Sequence, residues 1–266
     1  MKSSYYIPLI VGVLLCVGYI SLRQFSEGNK EPEVTELVSK EVYYESIGDL
    51  HGADLKAALH QRINHHRVLT YSELWAALRD LDAGKSGGVT LIYTRTQRGA
   101  DKNGGKQGDW NREHLWPRAY GISRSSIANT DLHHIRASDV ATNAKRAHLY
   151  FDETRGEDFD GQRYSFDHDS WEPPNEVKGD IARALFYMAV RYEGGQVGSS
   201  DLELSEVANI RNRQLGKLST LLKWHTQDPV SDAERNRNDK IDRNYQGNRN
   251  PFIDHPEYAG RIFYPQ

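Results

Sequence analysis

The chain is short of cysteine. Cys16 is the only one in 266 residues, which excludes an intramolecular disulfide framework and a zinc cluster built on thiolates. No HExxH pair is present to hold zinc on one helix face. There is no internal repeat and no long low-complexity linker. Nor is there an excess of one charge: 34 Lys and Arg against 37 Asp and Glu leave a net of −3. A chain so balanced does not grip polyanions by bulk charge alone, although a local basic site remains open.

What is present begins with an export segment. Within residues 1–22, Lys2 gives a positive start and residues 7–20 (IPLIVGVLLCVGYI) are uncharged and almost wholly apolar. That length fits a signal-peptide core better than a bilayer span of about 20 residues. Extended over residues 5–22 it also serves as a signal anchor. The expected location is therefore secreted or periplasmic, with membrane attachment through residues 5–22 as the alternative. Residues 23–47 are polar and acidic, as a tether would be. From Gly48 onward, residues 48–266 read as one domain.

Within that domain Leu55, Leu59 and Ile63 recur at helical spacing, and Leu74, Trp75, Leu78 and Leu81 repeat the pattern with Thr70 or Ser72 as cap. Residues 89–94 (VTLIYT) read as a strand and residues 151–176 as an acidic loop. Asn175 would cap a helix carrying Val177, Ile181, Leu185, Met188 and Tyr192 on one face, stopped by Gly194-Gly195. A further helix is expected over 215–225. Ser231 and Glu234 form a capping box for a charge-laced helix ending at Gly247. The class is α+β, helix-rich, in a single domain.

Charge is unevenly placed. Residues 94–146 hold ten Lys and Arg against five Asp and Glu, a net of +5, whereas residues 150–176 hold two against nine, a net of −7. The basic stretch also holds Glu113-His114, Asp131, His133-His134 and Asn143. Residues 113–115 end one strand before Pro117, 132–137 supply a second, and Ser138 or Asp139 caps a short helix bearing Asn143 and Arg146. Oxygen donors such as Glu113 and Asn143 suit a hard cation, Mg²⁺ or Ca²⁺. A neutral His114 could take a proton from water attacking a phosphodiester. Neighbours on a regular strand face opposite sides, so Glu113 and His114 can share a site only where the strand bends or ends. Arg112, Arg118, Arg136 and Arg146 are candidate nucleic-acid contacts, with a structural ion pair as the alternative for Arg146. His133 and His134 are expected to pack and hydrogen-bond behind the site.

Residues 110–117 (WNREHLWP), 131–136 (DLHHIR) and 143–146 (NAKR) resemble the endonuclease I family of His-Me finger, or ββα-metal, nucleases. Residues 176–192, 228–231 (DPVS) and 246–257 (QGNRNPFIDHPE) extend the resemblance in the family's order. It implies a secreted or periplasmic endonuclease acting on DNA, in some members also RNA, with little sequence specificity. It further implies His114 as general base, and Glu113 and Asn143 as ligands of one Mg²⁺, with Ca²⁺ or Mn²⁺ as substitutes. Arg124, in the loop between the finger strands, is taken as the arginine that steadies the transition state. Several periplasmic members carry disulfides; this chain resembles the cysteine-free branch. No obligate protein partner is implied. The competing readings are a zinc hydrolase using His114, His133 and His134, and an envelope-tethered nucleic-acid-binding module without catalysis.

Overall fold

The computed structural model describes residues 40–154, 163–195 and 200–264. The expected export segment and most of the expected tether lie outside them. Among the described residues no helix is long and apolar enough to cross a membrane. The chain divides into two compact units, residues 1–43 and 44–266. In the first, one helical turn is described, α1 (Lys40–Tyr43). The second starts before Gly48, because Tyr44 and Ile47 are buried and the Tyr44 hydroxyl donates to Asp254 Oδ2 at 2.9 Å.

Helices with small sheets make the unit α+β, as expected. In α2 (Gly52–Ile63) the four-residue spacing buries Leu55, Leu59 and Ile63. In α3 (Glu73–Leu81) Leu74, Ala77 and Leu78 turn inward. Of the two candidate caps for α3, Thr70 does the capping. Its amide and hydroxyl both donate to Glu73 Oε2 at 2.7 Å, and the Glu73 amide donates back at 3.3 Å.

The apolar run at 89–94 is not one strand. β1 (Gly88–Thr90) pairs with β2 (Gln97–Gly99), and the chain then turns, the Ile92 amide donating to the Ala137 carbonyl at 2.9 Å. Leu91, Ile92 and Tyr93 are fully buried in that turn, so the β-branched composition marks burial rather than strand length. β3 (Trp110–His114) pairs antiparallel with β4 (Ile135–Asp139), and α4 (Val140–Arg146) follows directly. The second strand begins at Ile135 and not at Leu132, because Asp131 holds the preceding residues in a turn: its Oδ1 accepts from the His133 amide at 3.0 Å. Asp139 then caps α4, accepting from the amides of Ala141 and Thr142 at 3.0 Å. Leu69, Leu74, Leu78, Val89, Trp110, Leu132, Ile135, Ala137 and Ile241 form one apolar cluster that roofs this hairpin with α3.

The acidic stretch is more than a loop. β5 (Tyr150–Phe151), β6 (Ser165–Phe166) and β7 (Ser170–Glu172) form a sheet in the order β5-β7-β6. Strands of two or three residues are too short to show an alternating pattern. Trp171 anchors them, stacked on Tyr164 at 4.4 Å and edge-on to Tyr93 at 5.1 Å.

A 3-10 turn at Asn175–Val177 leads into α5 (Lys178–Arg191), which is buried on every face except at Asp180. A one-sided stripe was the expectation; instead the helix is central, packed against α2 and later helices. Its first turn is capped from a distant loop, the Gly179 amide donating to Asp228 Oδ2 at 2.8 Å, and not by Asn175. β8 (Glu203–Leu204) and β9 (Gln214–Leu215) form a small parallel pair. Next come α6 (Leu218–Gln227) and α7 (Asp232–Lys240), the latter opened by the Ser231–Glu234 capping box. A π-helical turn, Ile241–Gln246, stops at Gly247, whose φ of 74° suits glycine. α8 (Pro251–Asp254) and α9 (Glu257–Phe263) close the fold.

Candidate active site

The site is built on β3. Glu113 opposes Arg136 and His114 opposes Ile135 in a regular antiparallel register. Side chains therefore alternate across the strand. Trp110, Arg112 and His114 share one face, as their aromatic neighbours Tyr71 and Trp75 show. Asn111 and Glu113 turn to the other, where α4 meets them through Asn143 and Arg146. Glu113 and His114 thus face opposite sides of β3, whose last residue is His114.

His114 is buried, and its Nε2 lies 3.1 Å from the Asn129 carbonyl. A carbonyl only accepts, so Nε2 carries the proton and Nδ1 keeps a free lone pair. Desolvation, helped by neighbouring His134 and Arg118, lowers the imidazole to about 3. The ring is therefore neutral at physiological pH, the state a general base needs. Asn129 has a second function: its Nδ2 donates to the Arg124 carbonyl at 3.3 Å, tying the Arg124 loop to the imidazole's partner.

On the opposite face Glu113 Oε1 accepts from the Tyr93 hydroxyl at 2.6 Å and from Arg146 at 3.0 Å. Burial pushes this carboxyl up, and the Arg146 charge and Tyr93 hydroxyl pull it part of the way back. Asn143 reaches the strand one helical turn earlier. Its Nδ2 donates to Asn111 Oδ1 at 2.7 Å, which leaves the amide oxygen as its free donor atom. Glu113 and Asn143 are thus on facing elements without touching each other. Glu113 Oε2 and Asn143 Oδ1 are both hard donors, and the His114 amide also bonds the Glu113 carboxylate. That donor set fits Mg²⁺, which takes one or two protein oxygens and keeps several waters.

The arginines divide by environment. Arg146 is buried, donating to Glu113, to the His114 carbonyl at 3.0 Å and to the Leu115 carbonyl at 2.9 Å. Of its two alternatives the ion pair is the one seen, so the expected phosphate contact is not available to it. Arg136 also differs from expectation. It pairs with Asp82 at 2.9 Å and Asp180 at 3.4 Å, because the strand face it occupies is covered by α5 and the turn after α3. Arg118 and Arg124 are exposed, and Arg112 is partly so. In the charge-laced helix α7, Arg237 is buried on Asp82 and on the carbonyls of Leu132 and Ile135, while Arg235 is exposed.

The zinc triad does not assemble. Nε2 of His133 faces the Asn248 carbonyl and Nε2 of His134 the Ala128 carbonyl, at 3.2 and 2.8 Å. His133 tilts onto Tyr187, whereas His134 sits edge-on to His114. Among the described residues, the His and carboxylate groups that converge as metal ligands would are elsewhere and exclude all three histidines.

Some supporting residues show their task only in the fold. Asp131 is fully buried and accepts from Tyr187, Tyr192, the His133 amide and Gln246. Gln246 also accepts from the Leu132 amide. The 246–254 segment is accordingly a lock on the turn behind His114; Arg249 adds ion pairs to Asp239, Asp242 and Asp254. Tyr93, Asn129 and Tyr71 are the other additions. Only contact with Glu113, His114 or Arg112 marks them out, and contact is not written in one dimension.

Comparison with known proteins places this geometry. Residues 51–257 match the family described as Endonuclease I, and the chain belongs to that family; it is a nuclease. Two relatives named "Extracellular ribonuclease" share 47% identity. The one from Bacillus amyloliquefaciens aligns over 234 residues, 86% of this chain and 81% of its own length. The one from Bacillus subtilis (strain 168) aligns over 227 residues, 84% and 78% respectively.

Proposed function

We propose that the protein is an exported endonuclease that hydrolyses phosphodiester bonds of RNA and DNA with little sequence specificity. The relatives' name supports both export and RNA as substrate. The observation that carries the mechanism is the fixed tautomer of His114: Nε2–H is committed to the Asn129 carbonyl, so Nδ1 is the base. It removes a proton from a water molecule as that water attacks phosphorus. The exposed Arg124 stabilises charge on the phosphoryl oxygens, and exposed Arg118 and partly exposed Arg112 hold flanking phosphates. Contacts to phosphate position the strand without reading it, which accounts for low specificity. Residues 44–266 act as the nuclease domain, and β3, β4 and α4 serve as its ββα-metal finger.

Glu113 and Asn143 would hold one Mg²⁺, with Ca²⁺ or Mn²⁺ as substitutes, and such an ion would supply neutralisation of the charge that develops on the phosphoryl group. The chain's own residues prepare that position. Arg146 and Tyr93 hold one oxygen of Glu113, and Asn111 orients the Asn143 amide.

Water as nucleophile makes the 2′-hydroxyl unnecessary. Full-length protein should cut an RNA and the all-deoxy strand of the same sequence in Mg²⁺, and neither in EDTA. Cleavage of RNA alone, leaving 2′,3′-cyclic phosphate ends, would mean that the substrate's own hydroxyl attacks.

A further inference from the structure

Tyr71 precedes α3 in the chain yet packs against the active-site strand. It is a large aromatic residue with 39% of its surface exposed. Arg112 lies over its ring at 3.7 Å and touches the Trp75 ring at 3.8 Å. The ring of His114 runs nearly parallel to that of Tyr71, 22° apart in plane and 6.3 Å between centroids. Arg112 and His114 stand on the same face of β3; the guanidinium covers one face of the Tyr71 ring, and the exposed part of the side chain lies beside the base. The packing has a further property. Arg112 also donates to the Tyr71 main-chain carbonyl at 2.6 Å, a bond that does not need the tyrosine side chain.

We propose that Tyr71 is a substrate-binding residue, a platform on which the nucleobase beside the scissile phosphate stacks while Arg112 contacts the adjoining phosphate. This rests on the nuclease reading above and names its substrate form. A base can lie on an exposed ring only when it is out of a duplex, so the site takes unpaired nucleotides. Every base has a π face, which makes such a platform tolerant of sequence.

The test compares wild type, Tyr71→Phe and Tyr71→Ala on a thymidine oligomer and on an oligomer of the same length with abasic tetrahydrofuran units. Loss of a stacking contact should raise KM on the thymidine oligomer roughly 5- to 100-fold in Tyr71→Ala, with Tyr71→Phe close to wild type. On the abasic oligomer all three should agree within about twofold. Thermal melting checks that each variant is folded. A second readout needs no cleavage: an oligonucleotide carrying 2-aminopurine, added in EDTA, should be quenched by wild type and by Tyr71→Phe and much less by Tyr71→Ala. Equal loss of kcat on both oligomers, with quenching unchanged, would overturn the proposal and make Tyr71 a support for Arg112 and His114. If wild type quenches the probe but cuts no oligomer in Mg²⁺, the nuclease reading fails while the stacking contact stands.

Discussion

Glu113 and Arg146 are each costly to bury alone and tolerable together. A buried pair is weak evidence for net stability, but removing one partner leaves an uncompensated charge and costs about 3–5 kcal/mol. Arg146→Met should therefore destabilise the protein by that order at neutral pH, measured by urea unfolding. Glu113→Gln together with Arg146→Met should recover much of the loss. Single and double variants equally destabilised would show that the two side chains do not act as a pair. The identity of both residues was legible in the sequence, and so was the ion-pair alternative for Arg146. Its selection was not, because nothing local in NAKR says that the Phe151 ring and the Leu115 carbonyl close over the guanidinium. Arg136 carries the same lesson. Its partners Asp82 and Asp180 lie 54 and 44 residues away, and a basic residue in a basic segment reads as a surface contact until its carboxylates are found.

At the scale of elements, signals with a fixed local offset were readable. The Ser231–Glu234 box, the Gly247 stop, the Asp139 cap and the leucine spacing of α2 all rest on neighbours within a few residues. Expectation and structure part where tertiary contacts decide. The run at 89–94 turns inward after three strand residues, the sheet inside 150–172 is too short for a period, and α5 is capped by Asp228 from another loop. Of these elements α4 bears most directly on function, since it carries both Asn143 and Arg146. Replacing Asp139 by Ala removes the acceptor for two α4 amides and the partner of Arg98 at 3.0 Å. A lost cap costs about 1 kcal/mol, so hydrogen exchange should quicken in 140–146 before it does in α5. Unchanged exchange there would mean that packing, and not the cap, holds the helix.

Over the whole molecule, a net charge of −3 conceals a finger segment at +5 and a following stretch at −7, so the balance never excluded a polyanion substrate. The absence of cysteine beyond Cys16 is answered by a buried polar network. Asp131, held well below the usual carboxylate range, organises Tyr187, Tyr192 and Gln246 beside His133 and His134. Burial lowers each of these histidines from 6.5 to about 4. The folded protein therefore refuses protons that the unfolded chain accepts between those values. Stability should be complete above pH 6.5 and fall steadily toward pH 4, by roughly 3 kcal/mol per histidine. His134→Gln should flatten that slope in urea unfolding at pH 7 and pH 4.5; an unchanged slope would assign the acid sensitivity to other groups.

The whole account turns on His114 as the base, with Nε2–H fixed by Asn129. The most direct measurement is the cleavage rate of a labelled RNA strand in Mg²⁺ by wild type and by His114→Ala, each shown to be folded by its melting transition. Removing a general base costs roughly 10²- to 10⁴-fold, so the variant should lose at least that much in kcat while still binding the strand. Full-rate cleavage by folded His114→Ala would contradict the mechanism.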